Sequence, residues 1–399
     1  MNQTLNLERL KNKKVALLLP WLRMGGTNVV ALRFASELSK YCDVTLILSE
    51  NVGELLQDVP ENVHVIIDQM KDFKTFFKND LKQFRIKNLF KDARYYFNIK
   101  NKKDGINNYS YIVKRNHYVT DTVFDCAISF HGQSPERLLN LIYRVHSRKK
   151  AAWIHGEMSF SKQECHAMGN YYRMLDHLFF VSTATKESFL KIIDFNREQT
   201  TVYYNPIDTS KIISLSDQSF SEPFETDYIN ILTVGRISPE KGQNMIPEIT
   251  RKLLDKGYKV RWYLIGNGPS EKNIHDLINK YHVENNVYML GVKNNPYCYM
   301  KACDLYVQPS YTEGYSTTIC EAGILGKAII GTKTSGGIAE QITDGIDGMI
   351  VDPTAVGLQS GIEKLINDQN MKKKLEENIL KKDFTGKGEI DKFLQYLNS

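Results

Sequence analysis

Short, continuous apolar runs that stop at proline, histidine, glycine or serine limit this chain's choice of fold more than any other feature. Lys14 to Leu19 reads Lys-Val-Ala-Leu-Leu-Leu and stops at Pro20. Val44 to Leu48, Val63 to Ile67, Thr122 to Phe130, Lys150 to Ile154 and His177 to Val181 have the same character, and the last three run into His131-Gly132, His155-Gly156 and Ser182. A strand with one wet face alternates in polarity, whereas runs like these are covered on both faces, as central strands of a parallel sheet are. Helical periodicity fills the gaps. One helix opens at Met24-Gly25-Gly26-Thr27 with Val30, Phe34 and Leu38 on one side, and others are expected over Pro135 to Val145, Lys162 to Leu175 and Thr185 to Ile193. Strand and helix in alternation predict a doubly wound α/β domain, in which ligands gather at the carboxyl ends of the strands. Gly25-Gly26, His131, His155 and Ser182 project there. The glycine pair lets backbone approach a ligand closely, yet the full Gly-x-Gly-x-x-Gly fingerprint is absent, and a plain tight turn accounts for the pair equally well. His131 is read as a structural residue at a strand end, and His155 as a functional one.

The pattern stops around Tyr204-Asn205-Pro206-Ile207-Asp208, and the Ser- and charge-rich stretch from Ser210 to Asp227 reads as an interdomain linker. A second alternation follows. Tyr228 to Val234 leads into Gly235-Arg236-Ile237-Ser238-Pro239-Glu240-Lys241-Gly242, Arg261 to Ile265 into Gly266-Asn267-Gly268-Pro269, and Val287 to Leu290 into Gly291. A glycine after one strand and then the next predicts a row of turns beside a bound nucleotide.

Within this second half, Ala302 to Ser310 reads as a buried strand that stops at Pro309, followed by Glu313-Gly314-Tyr315-Ser316-Thr317-Thr318-Ile319-Cys320-Glu321. Apolar spacing at Ile319, Ala322 and Ile324-Leu325 places Glu321 inside a helix that Gly326 ends, and Glu313 ahead of its first turn. The amides of Gly314 to Thr317 are then the donors of a helix start, a seat for an anion. One carboxylate on each side of such a seat suits a ligand that is part phosphate and part polyol. Arg236 and Lys241 follow another strand of the same sheet, and a guanidinium with an ammonium beside a helix start neutralises a diphosphate. Each element taken singly is also what a capped helix or a surface ion pair looks like.

At 399 residues the chain has room for two or three domains. Its six cysteines (Cys42, Cys126, Cys165, Cys298, Cys303, Cys320) are scattered without a Cys-x-x-Cys pair, which predicts reduced thiols in a cytoplasm and argues against a zinc site. The first residues lack the apolar core of a signal peptide, and no run approaches the roughly 18 apolar residues of a spanning helix. One insert departs from the pattern. Lys71 to Lys103 holds eleven Lys or Arg against three Asp, a surplus of eight in a chain whose net charge is +6. Phe73, Phe76, Phe77, Phe84, Phe90, Tyr95, Tyr96 and Phe97 are interleaved with these charges, a mixture suited to anionic lipid headgroups and the membrane interface. A solvated helical hairpin is the competing account, and nothing else in the chain resembles a nucleic-acid module.

Together, Gly-Arg-Ile-Ser-Pro-Glu-Lys-Gly at 235 to 242, the two glutamates 313 and 321 with seven residues between them, Gly336-Gly337 with Glu340, and Asp344-Gly345 with Gly348 resemble the retaining glycosyltransferases of family 4. Gly25-Gly26, His155-Gly156 and Asn205-Pro206 add to the likeness. The resemblance implies the GT-B fold, two Rossmann-like doubly wound domains facing a cleft. It places an acceptor-side domain at 1–207 with the basic aromatic insert at 71–118, a donor domain at 208–385, and a last helix at 386–399 that crosses back to the first domain. It further implies that Arg236, Lys241 and the amides at Ser316 and Thr317 bind the donor's diphosphate and that Glu321 binds the ribose. Gly314, Tyr315 and Gly266 would line the donor, Gly25 and Gly26 would close over the phosphates, and Glu313 and His155 would stand at the reacting sugar. Lys327-Ala328 departs from the family's usual proline after the lysine, in a turn away from the site. No Asp-x-Asp occurs in the chain, so neither a metal nor another cofactor is expected.

The implied activity is hexosyl transfer from a nucleotide-sugar, a UDP-sugar in the first instance, to a saccharide or lipid-linked acceptor, at the inner face of the cell membrane, in capsule or exopolysaccharide assembly. Two other readings stay open on the sequence: an enzyme of another kind on the same scaffold, such as a nucleotide-sugar epimerase or a phosphorylase, and a non-catalytic binding protein of the membrane surface.

Overall fold

The computed structural model describes residues 10–399 apart from 72, 84, 87, 89, 94, 96–104, 157, 159–161, 221–223 and 335. It divides into two compact units, Met1–Val181 with Lys186–Tyr203 and Gly388–Ser399, and Ser182–Thr185 with Tyr204–Lys387.

The first unit is built on strands β1 (Lys14–Leu19), β2 (Asp43–Leu48), β3 (Val63–Ile67), β4 (Phe124–Ser129), β5 (Ser147–Ile154), β6 (His177–Phe180) and β7 (Thr200–Val202). They form one seven-stranded parallel sheet in the order β3-β2-β1-β4-β5-β6-β7. The direction of winding reverses between β1 and β4, which pair Leu18 with Ser129 near their carboxyl ends. A doubly wound sheet opens a crevice at such a switch point. The runs are apolar because they are buried on both sides: Val15, Ala16 and Leu17 of β1 and Cys126, Ala127 and Ile128 of β4 are fully enclosed. One side packs on Leu138, Leu141, Met168, Tyr172 and Phe189. On the other, Trp153 meets Phe34, Phe130, Phe179 and Tyr203 with ring centroids 4.7 to 5.1 Å apart. The last helix, Glu389–Asn398, belongs to this unit. Its Phe393 stands edge-on to Phe34 at 5.1 Å, and Lys149 Nζ donates to the Tyr396 carbonyl at 2.7 Å, a cation at the negative end of the helix dipole.

The second unit repeats the plan with β8 (Ile229–Val234), β9 (Val260–Ile265), β10 (Val287–Met289), β11 (Leu305–Gln308), β12 (Ile329–Thr332) and β13 (Met349–Val351). The order β10-β9-β8-β11-β12-β13 is again all parallel, with its switch point between β8 and β11, where Leu305 pairs with Ile231 and Tyr306 with Leu232. The loops carrying Arg236 and Glu313 therefore leave adjacent strands at the reversal. The expected linker is partly regular: Thr209–Ser216 is a helix whose Asp208 side chain caps the Lys211 amide, with Ile212 buried in the second unit's core. An apolar residue anchored in that core outweighs the loop-like composition.

Of the basic insert, Phe73–Lys82 and Gly105–Arg115 are helices. Asp72, Phe84, Lys87, Arg94, Tyr96, Phe97, Lys100, Lys102 and Lys103 lie outside the described residues. Arg115 pairs with Asp80 and, at 2.6 Å, with Asp92, and the Tyr111 hydroxyl donates to Asp92 at 2.8 Å. Both aspartates are buried, so two of the four acids between 71 and 118 hold the insert's inner side in place.

Candidate active site

The second unit's cluster starts where β8 ends. Gly266, after β9, lies so close to Gly235 that a Cβ on it would stand 2.0 Å from the Gly235 carbonyl oxygen, at a φ of +138° that favours glycine. The loops after β8 and β9 are therefore stacked backbone on backbone, joined by Ile237 N–H to Asn267 O at 2.8 Å. Beyond Arg236, which is exposed, a single 3-10 turn at Pro239–Lys241 swings Lys241 back towards β11, and the Tyr311 amide donates to Glu240 O at 2.8 Å to fix the approach.

Lys241 Nζ lies 2.7 Å from Glu313 Oε1. The same oxygen accepts from Gln308 Nε2 at 3.0 Å and from Ser310 Oγ at 2.8 Å, and Glu313 keeps only 6% of its surface exposed. From the other side the Gly336-Gly337 loop presses on the Glu313 backbone. A Cβ on Gly336 would lie 1.4 Å from Glu313 O, and the Gly337 amide donates to Glu313 O and Gly314 O at 3.1 Å.

The helix after this loop is Thr317–Ile324, with Ser316 at its cap and Glu321 inside it. Glu321 is buried and accepts from the Tyr297 hydroxyl at 3.3 Å. The expectation that the Ser316 amide faces an anion needs correction. That amide donates to Gln341 Oε1 at 2.9 Å, and Gln341 Nε2 returns a bond to Ser316 O at 2.6 Å. A fully buried side-chain amide thus satisfies the backbone just before the helix, leaving Thr317 as the first helical residue. Tyr315 packs its ring 5.2 Å from Tyr204, and burial raises its phenol. Burial likewise pushes the Cys320 thiol up to about 12, so it is inert. Glu340 accepts from the amides of Thr183 and Ala184, at 2.9 and 2.7 Å, and from the Tyr204 hydroxyl at 2.9 Å, all within this unit. Arg236, Lys241, Glu313, Gly314 and Ser316 are thus carried by the loops at one switch point, Thr317 and Glu321 by the helix that follows, and Gly266 by the adjacent loop after β9, whereas Gly25, Gly26 and His155 belong to the other unit. Gln308, Ser310, Gln341 and Tyr297 are the residues missed from sequence; a glutamine closing an otherwise apolar strand was the one available signal.

In the first unit Gly25 caps the helix Gly26–Leu38. The loop before it is held by the Leu22 amide on Val52 O and the Met24 amide on Glu54 Oε2. Unlike Gly266 and Gly336, Gly25 has nothing within 4 Å of where a Cβ would stand, so the protein itself does not demand a glycine there. His155 follows β5. Its amide donates to Gln133 Oε1 at 3.1 Å, and Gln133 Nε2 donates to Gly156 O at 2.8 Å, so one side-chain amide braces the turn. The imidazole bonds the Phe130 backbone, while its Nε2 is buried without a hydrogen-bond partner among the described residues, as is Nδ1 of His131. The two rings are 6.4 Å apart. Burial lowers His155 to about 3 and His131 to about 4, with the neighbouring His131 and Arg137 charges acting in the same direction on each, so both are neutral at physiological pH.

Residues 216–382, nearly the whole of the second unit's sheet and its loops, match the family profile described as glycosyl transferases group 1. Over that stretch the chain is similar to the group 1 glycosyltransferases. Among curated relatives it is 26% identical over 249 residues to an uncharacterized glycosyltransferase of Methanocaldococcus jannaschii, covering 56% of this chain and 60% of that one. It is 25% identical over 207 residues to CapM of Staphylococcus aureus, a capsular polysaccharide biosynthesis glycosyltransferase, covering 51% and 53%. The matched stretches thus span between half and three-fifths of those relatives' lengths. Among solved structures, HepE of Anabaena in complex with UDP and glucose superposes with a TM-score of 0.72 at 18% identity, over 97% of this chain and 100% of that one. A glycosyltransferase from Rickettsia africae gives 0.70 at 16%, over 97% and 98%. At these identities the likeness is one of fold, and the fold is GT-B.

Proposed function

We propose that this protein is a retaining glycosyltransferase that moves a hexosyl group from a UDP-sugar to a saccharide or lipid-linked acceptor. The observation that carries the reading is the convergence, at one switch point, of Lys241, the Glu313 carboxylate and the start of the helix that holds Glu321, with Arg236 on the adjacent loop. When a nucleoside diphosphate leaves a sugar, negative charge grows on its phosphate oxygens. Fixed cations and a helix start lower the energy of that state more than of the bound donor. Arg236, Lys241 and the Thr317 end of the helix supply that stabilisation from protein alone. Glu321, deep in the helix, receives the ribose hydroxyls. Glu313 stands at the donor sugar, where front-face attack by an acceptor hydroxyl leaves the anomeric configuration unchanged. His155, neutral and with a bare ring nitrogen, offers an acceptor to a sugar hydroxyl.

The acceptor is proposed to be a membrane-proximal glycan, in capsule or cell-surface polysaccharide assembly. Support comes from the capsular relative and from the outer side of the insert, where Phe77, Leu81, Ile86 and Phe90 are exposed among Lys74, Lys78, Lys82, Arg85 and Lys91. Apolar side chains among lysines suit the interface of an anionic bilayer.

A thermal-shift screen of UDP-, GDP- and ADP-sugars tests the donor, and proton NMR of the product tests the stereochemistry. Stabilisation by a UDP-sugar and an axial product from an axial donor are expected. An inverted product, or interconversion of the donor sugar without any acceptor, contradicts the reading.

A further inference from the structure

Gln308 closes β11, a strand whose Leu305, Tyr306 and Val307 are all buried, and it is itself 2% exposed. A primary amide in such a place is costly unless its hydrogen bonds are met. They are. Oε1 lies 3.0 Å from the Tyr306 hydroxyl and 3.2 Å from Thr318 Oγ1, while Nε2 donates to Ser310 Oγ at 2.9 Å and to Glu313 Oε1 at 3.0 Å. A carboxylate paired with an ammonium only accepts, so Glu313 forces the amide to present Nε2 to it.

Lys241, Gln308 and Ser310 therefore all converge on the single oxygen Oε1, and Glu313 Oε2 makes no hydrogen bond among the described residues. Three donors are more than a structural carboxylate needs on one oxygen, and one of the three has a second task. Lys241 faces the diphosphate in the proposed function, and an ammonium drawn towards two phosphates cannot by itself keep a carboxylate in a fixed pose. Gln308 and Ser310 are uncharged, buried and indifferent to the arriving anion.

We infer that Gln308 and Ser310 are positioning residues for Glu313. They anchor Oε1 independently of Lys241, so that Oε2 stays aimed at the donor sugar when Lys241 turns to the leaving group. The inference rests on the reading that Glu313 stands at that sugar. It assigns the buried amide a part in turnover and none in holding the nucleotide.

The test is a mutant cycle in the full chain with Gln308→Met, which keeps the length of the side chain but cannot donate, Glu313→Gln, and the two combined. Turnover is followed as UDP release from the sugar that the donor screen selects, and affinity by calorimetric titration with UDP. Gln308→Met is expected to lower kcat by about tenfold to a hundredfold, the scale of a misplaced reacting group, with the Kd for UDP unchanged within about threefold. The double variant is expected to be no slower than Glu313→Gln alone, because the amide acts only through that carboxylate. Wild-type kcat in Gln308→Met, or losses that multiply in the double variant, overturns the inference while leaving the proposed function standing. Wild-type kcat in Glu313→Gln instead overturns the placement of Glu313, and the inference with it. Should Gln308→Met fail to fold, Ser310→Ala, which removes one hydroxyl, enters the same cycle with the same outcomes at about threefold to tenfold.

Discussion

The two switch points are built on the same strand order and differ in how their polar atoms are committed. In the second unit Glu313 Oε1, Gln308, Ser310, Ser316 and Gln341 are bonded to one another or to backbone, with the cations at the rim of that network, and Glu313 Oε2 and the buried Gln243 Oε1 are left without a hydrogen bond among the described residues. In the first unit His155 Nε2, His131 Nδ1 and Asn28 Oδ1 are buried without partners among the described residues. An unmet buried polar atom costs about 1 to 3 kcal/mol, which a ligand or water that bonds it restores. The difference teaches that a charged leaving group needs donors fixed in advance, because reorganising them during reaction would cancel their benefit. Neutral imidazoles suit hydroxyl groups, which bring their own protons.

The strongest way to break this comparison is to remove the cations. Lys241→Ala is expected to lower kcat by about a hundredfold and Arg236→Ala by more than about tenfold, the usual effect of deleting a group aimed at developing charge. Near-normal steady-state kinetics in both variants would show that the second unit's network is not a leaving-group site. The glycines sharpen the contrast next. Gly336→Ala places a methyl where Glu313 O already stands, 1.4 Å away, and is expected to cost about 2 to 4 kcal/mol of stability in a denaturant titration. Gly25→Ala meets nothing within 4 Å, so its midpoint should stay at the wild-type value while donor affinity falls. Equal effects on stability would erase the distinction between a glycine required by the fold and one left for a ligand.

Acid should single out the first unit. Burial lowers His131, His155 and His177 to about 4, 3 and 4, below the ordinary 6.5, so between those values the unfolded chain binds more protons than the folded one. Stability from these groups is therefore level above pH 6.5 and falls as the pH drops towards 4, by up to about 1.4 kcal/mol per pH unit for each histidine. Scanning calorimetry should show a lower Tm at pH 5 than at pH 7.5, and an unchanged Tm would mean that these rings are not buried and neutral. The smallest expected effect is none: chelator should leave turnover unchanged, and loss of activity restored by manganese would contradict stabilisation by protein cations alone.

Much of this architecture is legible in the sequence because it follows from local pattern. The runs at Lys14 to Leu19, Tyr228 to Val234 and Arg261 to Ile265 read as strands covered on both sides, and the turns at Gly235 and Gly266 follow from where the last two stop. Glu313 ahead of a helix and Glu321 within it could be read from apolar spacing at Ile319 and Ala322. The committed state of the Ser316 amide could not be read, since Gln341 lies 25 residues away and bonds it only after β12 and the loop after it have packed. Nor could the partners of Asp80 and Asp92: in sequence they are minor acids in a basic stretch, and in the fold Arg115 draws both inward. The helix Thr209–Ser216 was hidden for a similar reason, its stability coming from Ile212 in the core and not from its composition.

The most direct test of the central claim, that the second unit holds the donor's pyrophosphate, is a crystal structure of the chain with UDP. The account predicts phosphate oxygens within hydrogen-bonding reach of Arg236, Lys241 and the Thr317 end of the helix, with the ribose hydroxyls on Glu321. Nucleotide bound away from these residues, or a Glu321 carboxylate turned from the ribose, would contradict it.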